Sequence, residues 1–110
     1  MVQTRVNVGE LRHEIVVQSL STSIVNGQSD RVWSDEDKVW AAIDPLTGDE
    51  YFEADQMKAG TDLRVTIRFY EGLRPQKHRF VHNGRTLNIV RVLDRQERNC
   101  VHECWCREEP

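Results

Sequence analysis

A small, mainly β protein is the fold class this chain predicts: an antiparallel β-barrel or sandwich with one short α-helix and one long hairpin loop. Three observations predict it. Apolar and polar residues alternate in short runs, most cleanly from Asp62 to Tyr70, where Leu63, Val65, Ile67 and Phe69 share one face. Arg64, Thr66 and Arg68 share the other. Two Asn-Gly pairs, Asn26-Gly27 and Asn83-Gly84, stand between such runs, and both residues of that pair accept the positive φ of a two-residue hairpin turn. One stretch, Thr47 to Ala59, carries helix signals just after the hard stop at Pro45.

The elements follow in order. Leu11-Arg12-His13-Glu14-Ile15-Val16-Val17-Gln18 alternates with Leu11, His13, Ile15 and Val17 on one face, a half-buried strand. His13 falls on the apolar face, where a lone histidine is expected to be a hydrogen-bonded core residue. A long hairpin loop, about residues 19–33, follows with Asn26-Gly27 near its middle and a mobile tip. Trp33 closes it and is expected to anchor it to the core, since aromatic rings usually find cover. Ser34-Asp35-Glu36-Asp37-Lys38 reads as a solvated corner, too short and wrongly spaced for a calcium loop. The strand from Lys38 to Asp44 puts Val39, Ala41 and Ile43 on one face and Trp40 and Ala42 on the other. Apolar residues on both faces predict cover on both, by the core and by a helix or another subunit.

In the helix, Thr47 is the expected N-cap and Glu50, three residues on, completes a capping box. Asp49 and Glu50 place negative charge in the first turn, where exposed N–H groups favour it. Gly60 suits the left-handed cap at the far end. Tyr51, Phe52, Ala54, Met57 and Ala59 are the residues available to bury, and a helix this short must lie against something larger. His78–His82, Arg85–Leu93 and the run near Cys100–Cys106 complete the strand set.

Composition narrows the function. At 110 residues the chain is expected to form a single domain, residues 1–110, with no internal repeat. No run of about 18 apolar residues predicts a membrane span, and the first ten residues lack the apolar centre of a signal peptide. Three cysteines crowded between Cys100 and Cys106 do not read as a secreted disulfide framework. Synthesis inside a cell is the expectation. The net charge of −3 is unevenly spread: residues 1–61 carry 5 basic and 11 acidic side chains, residues 62–98 carry 9 and 4. Such a division suits contact between one subunit's acidic face and its neighbour's basic face; an unevenly charged solvated surface is the plainer alternative.

Chemistry is sparse. His102, Cys100, Cys104 and Cys106 alternate along a predicted strand. Adjacent ones then sit about 7 Å apart and the outermost about 20 Å, too far for one straight strand to wrap a zinc whose sulfurs lie about 2.3 Å away. Two of them with ligands from a neighbouring strand remain an alternative; buried thiols are the expected state. No nucleophile elbow, HExxH or glycine-rich phosphate loop is present, so no catalytic, cofactor or metal residue is assigned and the chain is not expected to be an enzyme. The run Arg74-Pro75-Gln76-Lys77-His78-Arg79, with Arg64 and Arg68, suits phosphate and makes a small nucleic-acid-binding barrel the alternative function. The sequence pI of 5.8 argues against it, since a dedicated binder shows a basic stripe with a pI above about 9.

Several segments together resemble the tailed-phage head–tail joining proteins, also called head closure or stopper proteins. They are Gly9-Glu10-Leu11-Arg12-His13 opening onto Ile15–Gln18, Val39–Gly48 followed by Glu50–Ala54, Asp62–Tyr70, and Gly84–Ile89. The match runs in order over nearly the whole chain; the cysteine-rich C-terminus departs from it. The resemblance implies a virion protein, made in the bacterial host cytoplasm, that assembles as a homo-oligomeric ring, a dodecamer in some relatives. It implies contact with the portal or adaptor above, a tail completion or tail-tube protein below, and packaged DNA in passing. It implies no enzyme activity, no cofactor and no membrane. A lumen repeating this chain's acidic charge would let DNA pass without sticking. On that reading Ser21-Thr22-Ser23-Ile24-Val25-Asn26-Gly27-Gln28-Ser29-Asp30 is the candidate lumen-facing or ring-facing loop. Trp40, Glu50, Tyr51, Phe52, Asp55, Arg64 and Arg68 are the candidate contacts to a neighbouring subunit or the adaptor. The plainer alternatives are a loop that only connects strands and a helix that only plugs the barrel.

Overall fold

A computed structural model of the chain describes residues 11–94 and 101–109; Gly9, Glu10 and Cys100 therefore lie outside the described residues. Six strands and one helix follow in the order β1 (His13–Val25), β2 (Gln28–Pro45), α1 (Gly48–Met57), β3 (Thr61–Arg68), β4 (His78–His82), β5 (Arg85–Asp94) and β6 (Val101–Glu108). Every strand pairing is antiparallel, and the order β1-β2-β3-β6-β5-β4 closes on itself through β1 and β4. Of the two architectures the sequence allows, the barrel is the one formed. No helix among the described residues is long and apolar enough to cross a membrane.

Both Asn-Gly pairs make the expected turns. Asn26 and Gly27 have φ of 55° and 79°, and Asn83 and Gly84 have 50° and 78°, the doubly left-handed backbone that matches the twist of a two-stranded hairpin. The first turn closes a longer ladder than expected. β1 and β2 pair continuously from Val25↔Gln28 to His13↔Ala41, so the hairpin expected to be loop over residues 19–33 is strand on both arms. Ser34–Lys38, read as a solvated corner, is strand as well. It holds a β-bulge, because Val17 pairs with Asp37 and Gln18 with Asp35 and leaves Glu36 over.

The barrel interior is filled by alternate residues: Ile15 and Val17 from β1, Ala41 from β2, Val65 and Ile67 from β3, Phe80 from β4, Leu87 and Ile89 from β5, and Cys104 and Cys106 from β6. Leu63, Val65 and Ile67 face in as expected, with Cys106, Cys104 and His102 as register partners. Phe69 does not. It lies past the end of β3, 39% exposed, with its ring 4.7 Å from that of His102. Thr66, expected outside, is buried beside its register partner Glu103. His13 is exposed rather than in the core; it is the first residue of β1, at the barrel rim, and its ring meets His82 edge-on at 5.1 Å. Cys104 and Cys106 are buried free thiols, and burial pushes the pKa of each up, which keeps the reactive thiolate scarce.

The helix begins at the expected cap and stops earlier than residue 59. The capping box around Thr47 and Glu50 is formed, with the Thr47 N–H donating to Glu50 Oε1 at 3.2 Å. At the other end Lys58 is the C-cap, its N–H donating to the Ala54 carbonyl at 3.0 Å. Gly60 is left-handed, φ 86°, but it serves the turn into β3 rather than the cap. There its N–H donates to Asp55 Oδ1 at 3.1 Å, and a Cβ would come within 3.2 Å of Arg107 Nε. Of the five residues expected to bury, Ala54 alone is buried. Tyr51, Phe52, Ala54 and Met57 are spread around the helix axis, so no single face can cover them all.

Candidate functional site

Three surface features are positioned by this fold. The first is an arm. β4 pairs with β1 over Val16–Ser19, and β3 pairs with β2 over Ala41–Pro45. Leu20 makes a last tie to the barrel by donating its N–H to the Lys77 carbonyl at 2.8 Å. Beyond the Leu20↔Trp33 pair the ribbon continues alone for about 20 Å at the usual strand rise, consistent with overall dimensions of 58 × 28 × 27 Å. All ten residues of the candidate loop lie on this arm, and Ile24 at its tip is 77% exposed. Trp33 sits half-buried at the root under the Arg79 guanidinium, 4.4 Å from the ring centre. Arg79 Nε also donates to Gln18 Oε1 at 2.7 Å. Part of the basic run read as phosphate-binding is thus engaged in holding the arm.

The bulge adds a second tie. The exposed Glu36 meets two groups from the neighbouring loop and strand: the Tyr70 hydroxyl donates to Oε2 and His78 Nε2 lies 3.4 Å from the same oxygen. The Arg74 N–H donates to His78 Nδ1 at 3.1 Å, which leaves the proton of a neutral imidazole on the nitrogen facing Glu36. Burial, then the bond to Glu36, pushes the Tyr70 pKa up. Sequence reasoning missed this cluster because a bulge has no local signature in so polar a stretch.

The second feature is the helix. It lies on the outside of the barrel wall rather than plugging its mouth, packed against β3, with Leu46, Ala54 and Trp105 buried together and Leu93 beside them. Two ion pairs hold it: Arg64 with Glu50 at 3.1 Å and Arg91 with Glu53 at 2.8 Å. Arg64 also approaches Glu103 at 3.8 Å, Trp105 Nε1 donates to Glu103 Oε1 at 3.3 Å, and Arg91 lies 5.0 Å over the Trp105 ring. Tyr51, Phe52 and Met57 remain exposed, Phe52 at 68%.

The third feature is a groove of about 520 Å³, lined among the described residues by Leu11, Val39, Trp40 and Arg68. Trp40, expected under cover on the outer face of β2, is instead 56% exposed. The candidate contacts therefore separate. Glu50 and Arg64 tie the helix down and Asp55 shapes the turn at Gly60, whereas Trp40, Tyr51, Phe52 and Arg68 are presented outward.

Two histidines set a pH response. His102 is buried, its Nδ1 accepting the Tyr70 N–H at 3.3 Å; burial holds its pKa below 6.5, with Asp94 pulling weakly the other way. His82 is lowered as well, by burial first and then by His13 and Arg85. The unfolded chain then binds these protons more readily than the folded one. Stability is full above pH 6.5 and declines as pH falls through 6.5 toward the folded values. Thermal melts between about pH 7.5 and pH 5 should show a falling midpoint, and His102→Gln should flatten that slope. A midpoint rising toward acid would contradict the assignment.

A family model described as phage head completion protein matches residues 6–109. Among solved structures, the solution structure of protein SF1141 from Shigella flexneri 2a superposes with a TM-score of 0.76 at 25% identity, covering 94% of this chain and 96% of that one. A chain from the virion of a native gene transfer agent particle superposes with a TM-score of 0.66 at 20% identity, covering 98% of both chains; at that identity the likeness is one of fold. No curated protein matches the chain. With a family match that runs from the barrel's first strand through its last, the chain belongs to the phage head completion protein family.

Proposed function

We propose that this chain is a structural subunit of the head–tail connector of a phage, prophage or gene transfer agent particle. Copies of it form a ring below the portal or adaptor, join the head to the tail, and help retain packaged DNA. The observation that carries this reading is the arm: a β-ribbon extending about 20 Å past a closed barrel reaches partners that the barrel wall cannot. Closing the barrel removes sheet edges from the body of the molecule, so contact is left to side chains on the outer wall and to the arm. Family membership and the gene transfer agent virion chain of similar fold support placement in a particle. The role is one of scaffolding rather than catalysis.

The test is to quantify this polypeptide in purified particles against the portal protein by mass spectrometry with labelled peptide standards. A copy number matching one symmetric ring is expected. Particles without the chain, or with a trace far below one ring, would overturn the proposal. Tight, salt-dependent binding of the isolated chain to free duplex would instead favour a nucleic-acid-binding barrel.

A further inference from the structure

We infer that the outward face of α1 in one copy docks into the Trp40–Arg68 groove of the next copy, which makes this the ring-forming contact. The inference rests on the ring reading above and names its two halves. Residues two apart on a helix point about 200° apart, so Phe52 stands opposite the buried Ala54, at the centre of the solvent face. Asp49 and Asp55 lie three residues to either side of it and Gln56 four residues on, on the same face. The face is therefore an aromatic knob with a carboxylate before and after it. Among the described residues the groove is its complement, apolar at Leu11, Val39 and Trp40 and cationic at Arg68, with Glu14 opposite Trp40 on the neighbouring strand.

Charge decides which surface meets which. The neighbouring acids Glu50 and Glu53 already pair with Arg64 and Arg91 inside the chain, so the outward charge of α1 is set by Asp49 and Asp55. A two-fold contact of helix on helix would bring those carboxylates together, which is repulsive. Helix into groove pairs unlike charges and buries Phe52 against Trp40. Two different patches meeting head to tail generate a ring when the rotation closes, and this chain carries both patches. The knob is also presented rigidly, because the Trp105 seat and two ion pairs hold α1 to the wall, which lowers the ordering cost of binding.

The test uses particles assembled from the full set of virion genes with mixed isotopically light and heavy copies of the chain. A benzophenone amino acid replaces Phe52, and in a second preparation Gln56. Irradiation should join this position to a peptide containing Val39 and Trp40, or Arg68, in light–heavy pairs. Cross-links from both positions solely to another virion protein, or to other parts of this chain, would overturn the docking while leaving the ring intact. Absence of the chain from particles would instead remove the ring reading itself. Independently, Arg68→Glu should cut the yield of tailed particles by at least about tenfold, and adding Asp49→Arg, which leaves the Asp55 bond to Gly60 intact, should recover part of it. Failure of the reversed pair to recover any yield would count against the contact.

Discussion

A chain from which Thr22–Val25 and Gln28–Arg31 are excised is expected to fold normally and to give particles that lose titre by orders of magnitude. The excision is chosen by register. It leaves Ser21↔Val32 as the last pair, closed by the original Asn26-Gly27 turn. Directly opposed residues alternate between hydrogen-bonded and non-bonded pairs along an antiparallel ladder. Removing four residues from each arm therefore restores the pair type that this turn closes, whereas removing five would not. The described side chains among those removed are exposed, and the ties at the root survive: Leu20 to Lys77, Trp33 under Arg79, and Glu36 to Tyr70 and His78. Surface residues away from caps and cores change stability by about 0.5 kcal/mol or less, so the midpoint of thermal unfolding should move by no more than about 4 °C. Titre should collapse because the arm is the part that extends beyond the barrel. Ile24→Asp, a change at the tip with no register cost, should reproduce part of the loss. Normal titres from both variants would leave the arm with no role beyond connecting two strands.

The sequence announced what local chemistry determines. Asn-Gly specifies its turn wherever it occurs, and both turns formed. Thr47 and Glu50 specify a helix start, and α1 begins there. Alternation in β3 specified its inward face. Where a reading depended on distant partners it failed. Ser and Thr between Ser19 and Asp30 suggested a loop, yet in a ribbon that is solvated on both faces such residues pair as readily as apolar ones. The helix residues Tyr51, Phe52 and Met57 looked like core because apolar composition does not say which face meets the wall. The pairing of Glu50 with Arg64 across 14 residues was not foreseen, because it depends on where the helix packs. Trp40 was read correctly as lying on the outer face of its strand, but the cover expected there from a helix is not formed, and Trp40 is 56% exposed. Its groove partners Leu11 and Val39 were not foreseen, since they come together with it only in the folded barrel.

Trp105→Ala should remove about 3–5 kcal/mol of stability, a large share of the roughly 5–15 kcal/mol typical of a whole domain. The side chain is 3% exposed and fills the space between the barrel wall and the helix, against Leu46, Ala54 and Leu93. Its loss leaves a cavity that neither the wall nor the three-turn helix can easily collapse into. It also takes the indole N–H from the buried Glu103 carboxylate and the ring from under Arg91. A midpoint lowered by at least about 12 °C is expected, with a smaller helical contribution to the circular dichroism. Phe52→Ala provides the contrast. The side chain sits on the face of α1 opposite the buried Ala54, exposed at 68%, so its removal should leave the melt within about 0.5 kcal/mol of the parent. If Phe52→Ala melts normally but fails to assemble, while Trp105→Ala fails in both, then one face of α1 holds the helix and the other meets a partner. Equal melts for Trp105→Ala and the parent would show that the helix is not seated by this indole.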